Sequence, residues 1–354
     1  MGAGGGRDRE VIILSLGSAD PACAHSGASA PVRVPVLVCR DALAAGGVTV
    51  DPVTATSDDE IDAVLTRLDG PTRPDGLTWP AGAGHASTGH ASTGHDSGGH
   101  DPAGRSQGPA DAGRVPALIV AVDSDAQLRA VLRRMVRRWS PPPSRRPADL
   151  VPGRTVPDLP PVGVLPLNVR GPGAGAVPDM VDRLRLPRDP ADVAKAVLSG
   201  DVRRVDLLRT DGGSVTVHGA LLGGVDASGH AAAWRGRIEL DDTILADGKE
   251  PVLACAVANA NGYARLDDLP LAPAADPCSG TVTVAVAVPI RSGSRFSFRP
   301  GTANIRIEVR RATGRAVSVT PTADLPYVDD GIEATLTRKR AWWVEPGAWA
   351  VYGR

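Results

Sequence analysis

Residues 116–139 constrain the fold more than any other stretch. Pro116-Ala-Leu-Ile-Val-Ala-Val122 is a short continuous apolar run, the pattern of a strand buried in a parallel sheet. Asp123-Ser124-Asp125 follows. Then Leu128, Val131, Leu132, Met135, Val136 and Trp139 recur at helical spacing, with Arg129, Arg133, Arg134, Arg137 and Arg138 on the other face. Strand, acidic turn and amphipathic helix make half of a βαβ unit. The turn then stands at the carboxyl end of the strand, where open α/β sheets bind ligands. The arginine face reads as solvated, on a helix packed against its sheet; a helix lying on an anionic membrane is the competing reading.

Neighbouring segments fit the same layer. Val11–Leu16 is a β-branched run that feeds a loop at Gly17 and Ser18, and Val32–Cys39 reads as a strand or the start of a helix. Ser57-Asp58-Asp59-Glu60 precedes Ile61, Val64, Leu65 and Leu68, which predicts an N-capped helix ending near Gly70-Pro71. From Pro71 to Gly113 the sequence collapses into Gly, Ser, Thr, Ala, Pro and His, with Gly-His repeating every five residues at His85, His90, His95 and His100. This composition cannot bury a core and predicts a disordered insertion. Four imidazoles so spaced could chelate a transition metal, but a linker expanded by repetition is the simpler reading.

A Pro-rich linker, Pro141–Pro161, leads to a strand at Val162–Leu167, a Gly-rich loop at Asn168–Ala176 and a short helix over Pro178–Leu186. Asp189-Pro190 caps a further helix that Gly200 closes. Beyond Asp201 the pattern changes to strands with turn signals at short spacing, from Arg203–Arg209 through Trp343–Tyr352, which predicts an antiparallel sandwich or barrel. The fold class is therefore an α/β domain with a parallel sheet (residues 1–70 and 114–200) followed by an antiparallel β-sandwich domain (201–354). The last strand is a candidate to return to the first domain.

A chain of 354 residues with 42% apolar content, 41 Gly and 32 Pro suits two soluble domains. Net charge of −1 removes the positive field of non-specific nucleic-acid binding. No apolar run reaches the roughly 20 residues of a membrane span, and Val11–Leu16 is too short for a signal-peptide core. The expectation is a cytoplasmic protein. Cys23, Cys39, Cys255 and Cys278 are scattered, with no CxxC, and read as buried free thiols. No GxSxG, Walker or HExxH motif is present. His218 lies in an alternating strand and reads as a core histidine, while Tyr327, Trp342, Trp343, Trp349 and Tyr352 read as packing anchors.

Several motifs carry a family resemblance. Val162–Leu167 (VGVLPL), Met180–Pro187 (MVDRLRLP) and Arg188–Leu207 (RDPADVAKAVLSGDVRRVDL) resemble the catalytic domain of bacterial diacylglycerol kinases and sphingosine kinases. There a "PLGTGND" loop precedes a short helix, an "LP" turn, a helix and an "RRVDLG" strand. Val257–Asn261 with Gly262 and Leu271-Ala-Pro273 is similar to the family's "NG…LAP", Val328–Gly331 to its "VDGE", and Val344–Ala348 to its "VPGAL". Ile119–Leu132 stands where the family has "VVVGGDGTLNEVV".

The resemblance implies a fold like that of NAD kinase and diacylglycerol kinase, and a site whose motifs are eroded. The family's GGDGT falls on Ala121–Asp125, which keeps the acid but loses the glycines that let phosphate approach backbone N–H groups. Asp123, Ser124 and Asp125 are thereby candidates for nucleotide contact. Asp125 replaces the threonine, and with Asp123 it could hold Mg²⁺; helix capping is the alternative. The GTGND loop falls on Asn168–Asp179, giving Asn168, Gly171, Gly173 and Asp179 as nucleotide-binding candidates, joined by Asp330 of the "VDGE" match. The family's general base falls on Ser279, which cannot accept a proton as a carboxylate does, a loss of about 10²–10⁴ in rate. Asp276 is the nearby substitute, or else caps its loop.

These readings imply a weak or inactive lipid kinase, a pseudokinase that retains nucleotide or lipid binding. An active kinase using ATP and Mg²⁺ on a diacylglycerol-like hydroxyl, and a non-catalytic partner-binding protein, are the alternatives. The partnerships admitted are a nucleotide, a lipid, a peripheral membrane contact and a homodimer, with nucleic acid disfavoured.

Overall fold

The computed structural model describes residues 10–17, 33–73, 75–81, 115–168, 179–291 and 305–353. The His-rich tract and Gly171, Gly173 and Cys23 lie outside the described residues.

The first half alternates as expected: β1 (Glu10–Leu16), α1 (Val34–Ala45), β2 (Thr49–Ala55), α2 (Asp58–Thr66), a hairpin of β3 (Asp69–Thr72) and β4 (Thr78–Pro80), β5 (Ala117–Val122), α3 (Asp125–Trp139), β6 (Pro161–Pro166), α4 (Met180–Arg183) and α5 (Pro190–Ser199). Strands β2, β1, β5 and β6 run parallel in that spatial order. Every residue of β5 is buried, as its unbroken apolar run requires. Ser57 caps α2 by accepting the Glu60 N–H, and Glu60 reaches back to Thr56. Asp189 caps α5, and Gly200 ends it with φ +75.

One open reading is decided, as a helix start, and two local expectations change. Val34–Cys39 belongs to a helix that continues to Ala45. Strand β2, with Pro52 at its centre, had no strand signal; it forms the sheet's outer edge, where a missing N–H breaks no ladder. Residues up to Ala81, expected within the disordered insertion, include the β3–β4 hairpin, with Trp79 buried at its end.

The second half contains β7 (Val202–Thr210), β8 (Val215–Thr216), β9 (Gly219–Leu222), β10 (Gly224–Val225), β11 (Ala231–Ala232), β12 (Gly236–Leu240), β13 (Thr243–Asp247), β14 (Ala254–Ala258), β15 (Tyr263–Leu266) and β16 (Leu269–Ala272). It ends with β17 (Val282–Arg291), β18 (Ile305–Gly314), β19 (Ala316–Pro321), β20 (Leu325–Asp329), β21 (Ile332–Leu336) and β22 (Arg340–Tyr352). An antiparallel sheet in the order β18-β17-β14-β9-β20-β21 packs on a second sheet through Leu222, Val257, Val284, Val286, Val319 and Trp342.

That second sheet is continuous with the parallel one. Its order is β13-β12-β19-β22-β6-β5-β1-β2, with β7 also pairing β22. The start of β22 runs antiparallel to β19 and its end parallel to β6, with a register shift against β7 between Glu345 and Trp349. One strand thus places Trp342 in the core of the β-rich half and Trp349 in the core of the α/β half, both fully buried. Burying each side chain of this size stabilises by about 2–3 kcal/mol. Cys39 and Cys255 are buried free thiols, as expected; Cys278 is exposed because it sits on a turn rather than in a strand. Among the described residues no helix is long and apolar enough to cross a membrane.

The arginine face of α3 is not solvated. Arg133 and Arg134 pair with Asp58, Arg134 also with Asp62, and Arg138 with Asp69, so α2 and the hairpin supply the counter-charges. Only Arg137 of that face is exposed. Arg129 turns the opposite way, into the junction between the halves. Its Nε donates to Val215 O at 2.7 Å, Nη1 to Asp329 O at 3.1 Å, and Nη2 to the Asp329 carboxylate at 2.6 Å. Removing one partner of such a buried pair leaves a charge uncompensated, so Arg129→Met should lower unfolding free energy by about 3–5 kcal/mol. Urea denaturation at pH 7 measures it.

Candidate functional site

The site is built at the carboxyl ends of β5 and β6, where they face the loops of the β-rich half. The turn after β5 starts α3, yet its N-cap Ser124 makes no side-chain capping bond. Gln127 instead accepts the Asp123 N–H at 2.6 Å, while Asn168 Nδ2 donates to Asp123 O at 3.1 Å. The Asp123 carboxylate is ion-paired with Arg33.

Asp125 points elsewhere. Its Oδ1 accepts the Met180 N–H at 3.1 Å, and its Oδ2 lies 3.2 Å from His218 Nε2. His218 Nε2 is also 3.5 Å from Asp330 Oδ1. The structure therefore brings Asp125 and Asp330 together through a histidine that the sequence marked only as core. It does not bring Asp123 and Asp125 onto a common partner.

Asp330 is fully buried at φ +48 and accepts three backbone N–H groups, from Val217 (2.6 Å), His218 (3.0 Å) and Gly219 (3.2 Å). Beside it Asp329 accepts the Thr216 hydroxyl at 2.7 Å and pairs with Arg129. Burial, then the charge of Asp330, push the Asp329 carboxyl up to about 7 against the opposing pull of Arg129 and Thr216.

The far wall is β15 and α4. The Tyr263 ring stands edge-on to His218, centroids 5.2 Å apart, and burial raises its phenol well above the ordinary value. Gly219 makes room for that ring: a Cβ there would lie 2.5 Å from Tyr263 Cδ1 and 2.7 Å from Val257 O. Arg183 lies 5.5 Å from the Tyr263 centroid, with Nη1 donating to Asn261 O at 3.1 Å; burial lowers its guanidinium below the usual range. Asp179 caps α4 through the Asp182 N–H. Burial alone would raise Asp179, but its bonds to Arg188 and to the Asp182 N–H hold it below its ordinary value.

Asp276 and Ser279 occupy a separate turn. The Asp276 carboxylate accepts the Cys278 N–H at 3.0 Å, and the Ser279 hydroxyl donates to Asp276 O at 2.9 Å and pairs with Thr281. This turn is tied to the junction through Asp206, which is 2% exposed and accepts the Gly280 and Gly347 N–H groups at 2.6 and 2.7 Å. Burial raises Asp206 in spite of those bonds. Asn259 then links Asp206 O to Val217 O, next to His218.

Neither a protein-family model nor a curated protein matches the sequence. Solved structures do. One, a diacylglycerol kinase from Bacillus anthracis str. Sterne, aligns with TM-score 0.52 at 11% identity, covering 98% of this chain and 97% of its own. Two others from that organism, assigned to the same class, give 0.54 and 0.55 at 12% identity over 97% of both chains. The chain has the diacylglycerol kinase fold. Within that fold, His218, Arg129, Arg183 and Gln127 are the site residues sequence reasoning missed. Only the spacing of Arg129, four residues after Asp125 and hence on its helix face, gave a local signal.

Two outcomes test this arrangement. Between the ordinary carboxylate pKa and about 7 the unfolded chain releases the Asp329 proton while the folded chain keeps it, so Asp329 lowers stability as pH rises through that window. The difference in unfolding free energy between wild type and Asp329→Asn should therefore slope from pH 4 to 7 and flatten above; a pH-independent difference refutes it. Gly219→Ala should cost about 1–3 kcal/mol through overpacking against Tyr263, seen as a lower melting temperature.

Proposed function

We propose that this chain is a lipid-kinase-fold protein without efficient phosphoryl transfer, a pseudokinase whose own side chains occupy the turn where a phosphate would lie. The observation that carries the reading is the Asp125 carboxylate on the Met180 N–H and beside His218. A side chain of the chain itself supplies negative charge where the fold's strand-to-helix turn would meet a phosphate. The Asp123 N–H, taken by Gln127, supports the same reading, since a backbone donor engaged internally is not available to a nucleotide.

The residues do not fit a shared Mg²⁺. Asp123 is matched by Arg33, and Asp125 by His218 and an amide, so a metal would have to displace a cation and a hydrogen bond. The Asp276 carboxylate caps its own loop, in a turn separate from Asp123 and Asp125. An intrusive unit charge costs an approaching phosphate about 1–4 kcal/mol between water-like and surface-like dielectric, enough to weaken ATP binding by roughly fivefold to a thousandfold.

Wild-type protein with millimolar Mg·ATP should show a melting shift below about 1 °C and no transfer of labelled phosphate to a diacylglycerol panel. A nucleotide at a hundred times its Kd would stabilise by about 2.7 kcal/mol, a shift of several degrees. Such a shift together with label in the lipid overturns the reading.

A further inference from the structure

We infer that the cavity between α2, α3 and the β3–β4 hairpin binds a small organic acid, whose single carboxylate pairs with Arg137. The cavity lies at the far end of α3 from the Asp123–Asp125 turn. Arg137 stands twelve residues after Asp125, roughly 18 Å along a helix. The inference is therefore independent of the pseudokinase reading.

The leading observation is a charge left over. The cavity holds about 480 Å³, within the range of small-molecule sites. Five charged residues line it, and four of them are matched among themselves. Asp62 takes Arg134 Nε at 2.8 Å and Nη2 as well, and Asp69 takes Arg138 Nε at 2.9 Å together with its Nη2. Trp139 Nε1 adds a third bond to Asp69, at 2.9 Å. Burial alone would raise the Asp69 carboxyl, but the bonds to Arg138 and Trp139 hold it below its ordinary value, so it stays ionised at neutral pH. The fifth residue, Arg137, has no ion pair among the described residues.

An unpaired arginine on an open helix face is simply solvated. Arg137 instead borders a cavity whose walls are fixed from both sides. The Asp62 and Asp69 pairs tie α2 and the hairpin to α3. On its other side the hairpin is held by Arg73 to Asp149, and by Arg145 to Asp75 O. Walls set in advance reduce the ordering that a ligand must impose.

The lining selects the class of ligand. One unmatched positive charge calls for one negative charge, and a carboxylate meets a guanidinium through two parallel N–H bonds. The Thr78 hydroxyl also lines the cavity, and its contact with Thr72 Oγ1, at 3.4 Å, is longer than an ordinary hydroxyl bond, so it is available to the same oxyanion. Trp139 and the alkyl stems of the arginines give the body of the acid apolar contact. A doubly charged phosphate would set its second charge against Asp62 and Asp69. The carbonyl end of α3 opposes any anion here, and Arg137 and Arg138 in its last turn offset that field.

Benzoate, a flat acid with one carboxylate, is the probe. Full-length wild type, Arg137→Gln, Thr78→Val and Arg235→Gln are titrated by calorimetry with benzoate and with inorganic phosphate at constant ionic strength, and the assigned Trp139 indole N–H is followed by NMR. Melting curves establish that each variant is folded. Wild type should bind benzoate with a Kd of about 1 mM and shift the Trp139 resonance. Arg137→Gln should weaken binding by at least about tenfold, and Thr78→Val by roughly threefold. Arg235→Gln, which removes an exposed arginine of the β-rich half, should bind as wild type does. No benzoate binding, binding that survives in Arg137→Gln, an equal loss in Arg235→Gln, or binding without a Trp139 shift overturns the inference. Phosphate held more tightly than benzoate overturns the assignment of a carboxylate.

Discussion

The pairing of Arg129 with Asp329 fixes everything else at the junction. A guanidinium carries five donors in a rigid fork, and here the fork reaches the backbone of Val215, the backbone and carboxylate of Asp329, and Ser214. It locks α3 of the α/β half to strands β8 and β20 of the β-rich half, 86 and 200 residues away in the chain. Asp125 lies one helical turn earlier on the same face. Once Arg129 is docked, the first turn of α3 has a set position relative to His218.

Parallel strands feeding helix N-termini leave amide donors and a favourable dipole at one edge of the sheet. In this chain those donors are met from inside, by Gln127 and Asp125, and the nearby acid of the Asp276 turn is spent on its own loop. Each such bond stabilises the protein modestly and leaves that donor engaged within the chain. The long strand β22 keeps the architecture in place independently, because it belongs to both halves and buries a tryptophan in each.

Much of the layering was legible in the residues. The buried run of β5, the capped helices α2 and α5 and the change of pattern near residue 200 follow from periodicity and capping, which are local. Strand β2 was not, since Pro52 and Asp51 depress strand propensity and only its place on the sheet edge makes them tolerable. The arginines of α3 were misread as solvated, because the acids that pair with them come from α2 and a hairpin, 69 to 76 residues away. His218 was read as a core histidine and no further, because an alternating strand places a histidine inward whether it meets carbons or carboxylates.

The sequence by itself determined the buried run of β5, the capped helices, the α/β-then-β division and a turn at residues 121–125 that is acidic and free of glycine, because each is written in the spacing of neighbouring residues. Tertiary structure alone decided which charges are spent and which are open. Whether Asp123 faces Arg33 or a metal, and whether Asp125 faces His218 or solvent, depends on groups brought together from 90 or more residues apart. Electrostatic energy in a buried groove follows distance in space and exclusion of water, and neither is encoded by nearness along the chain.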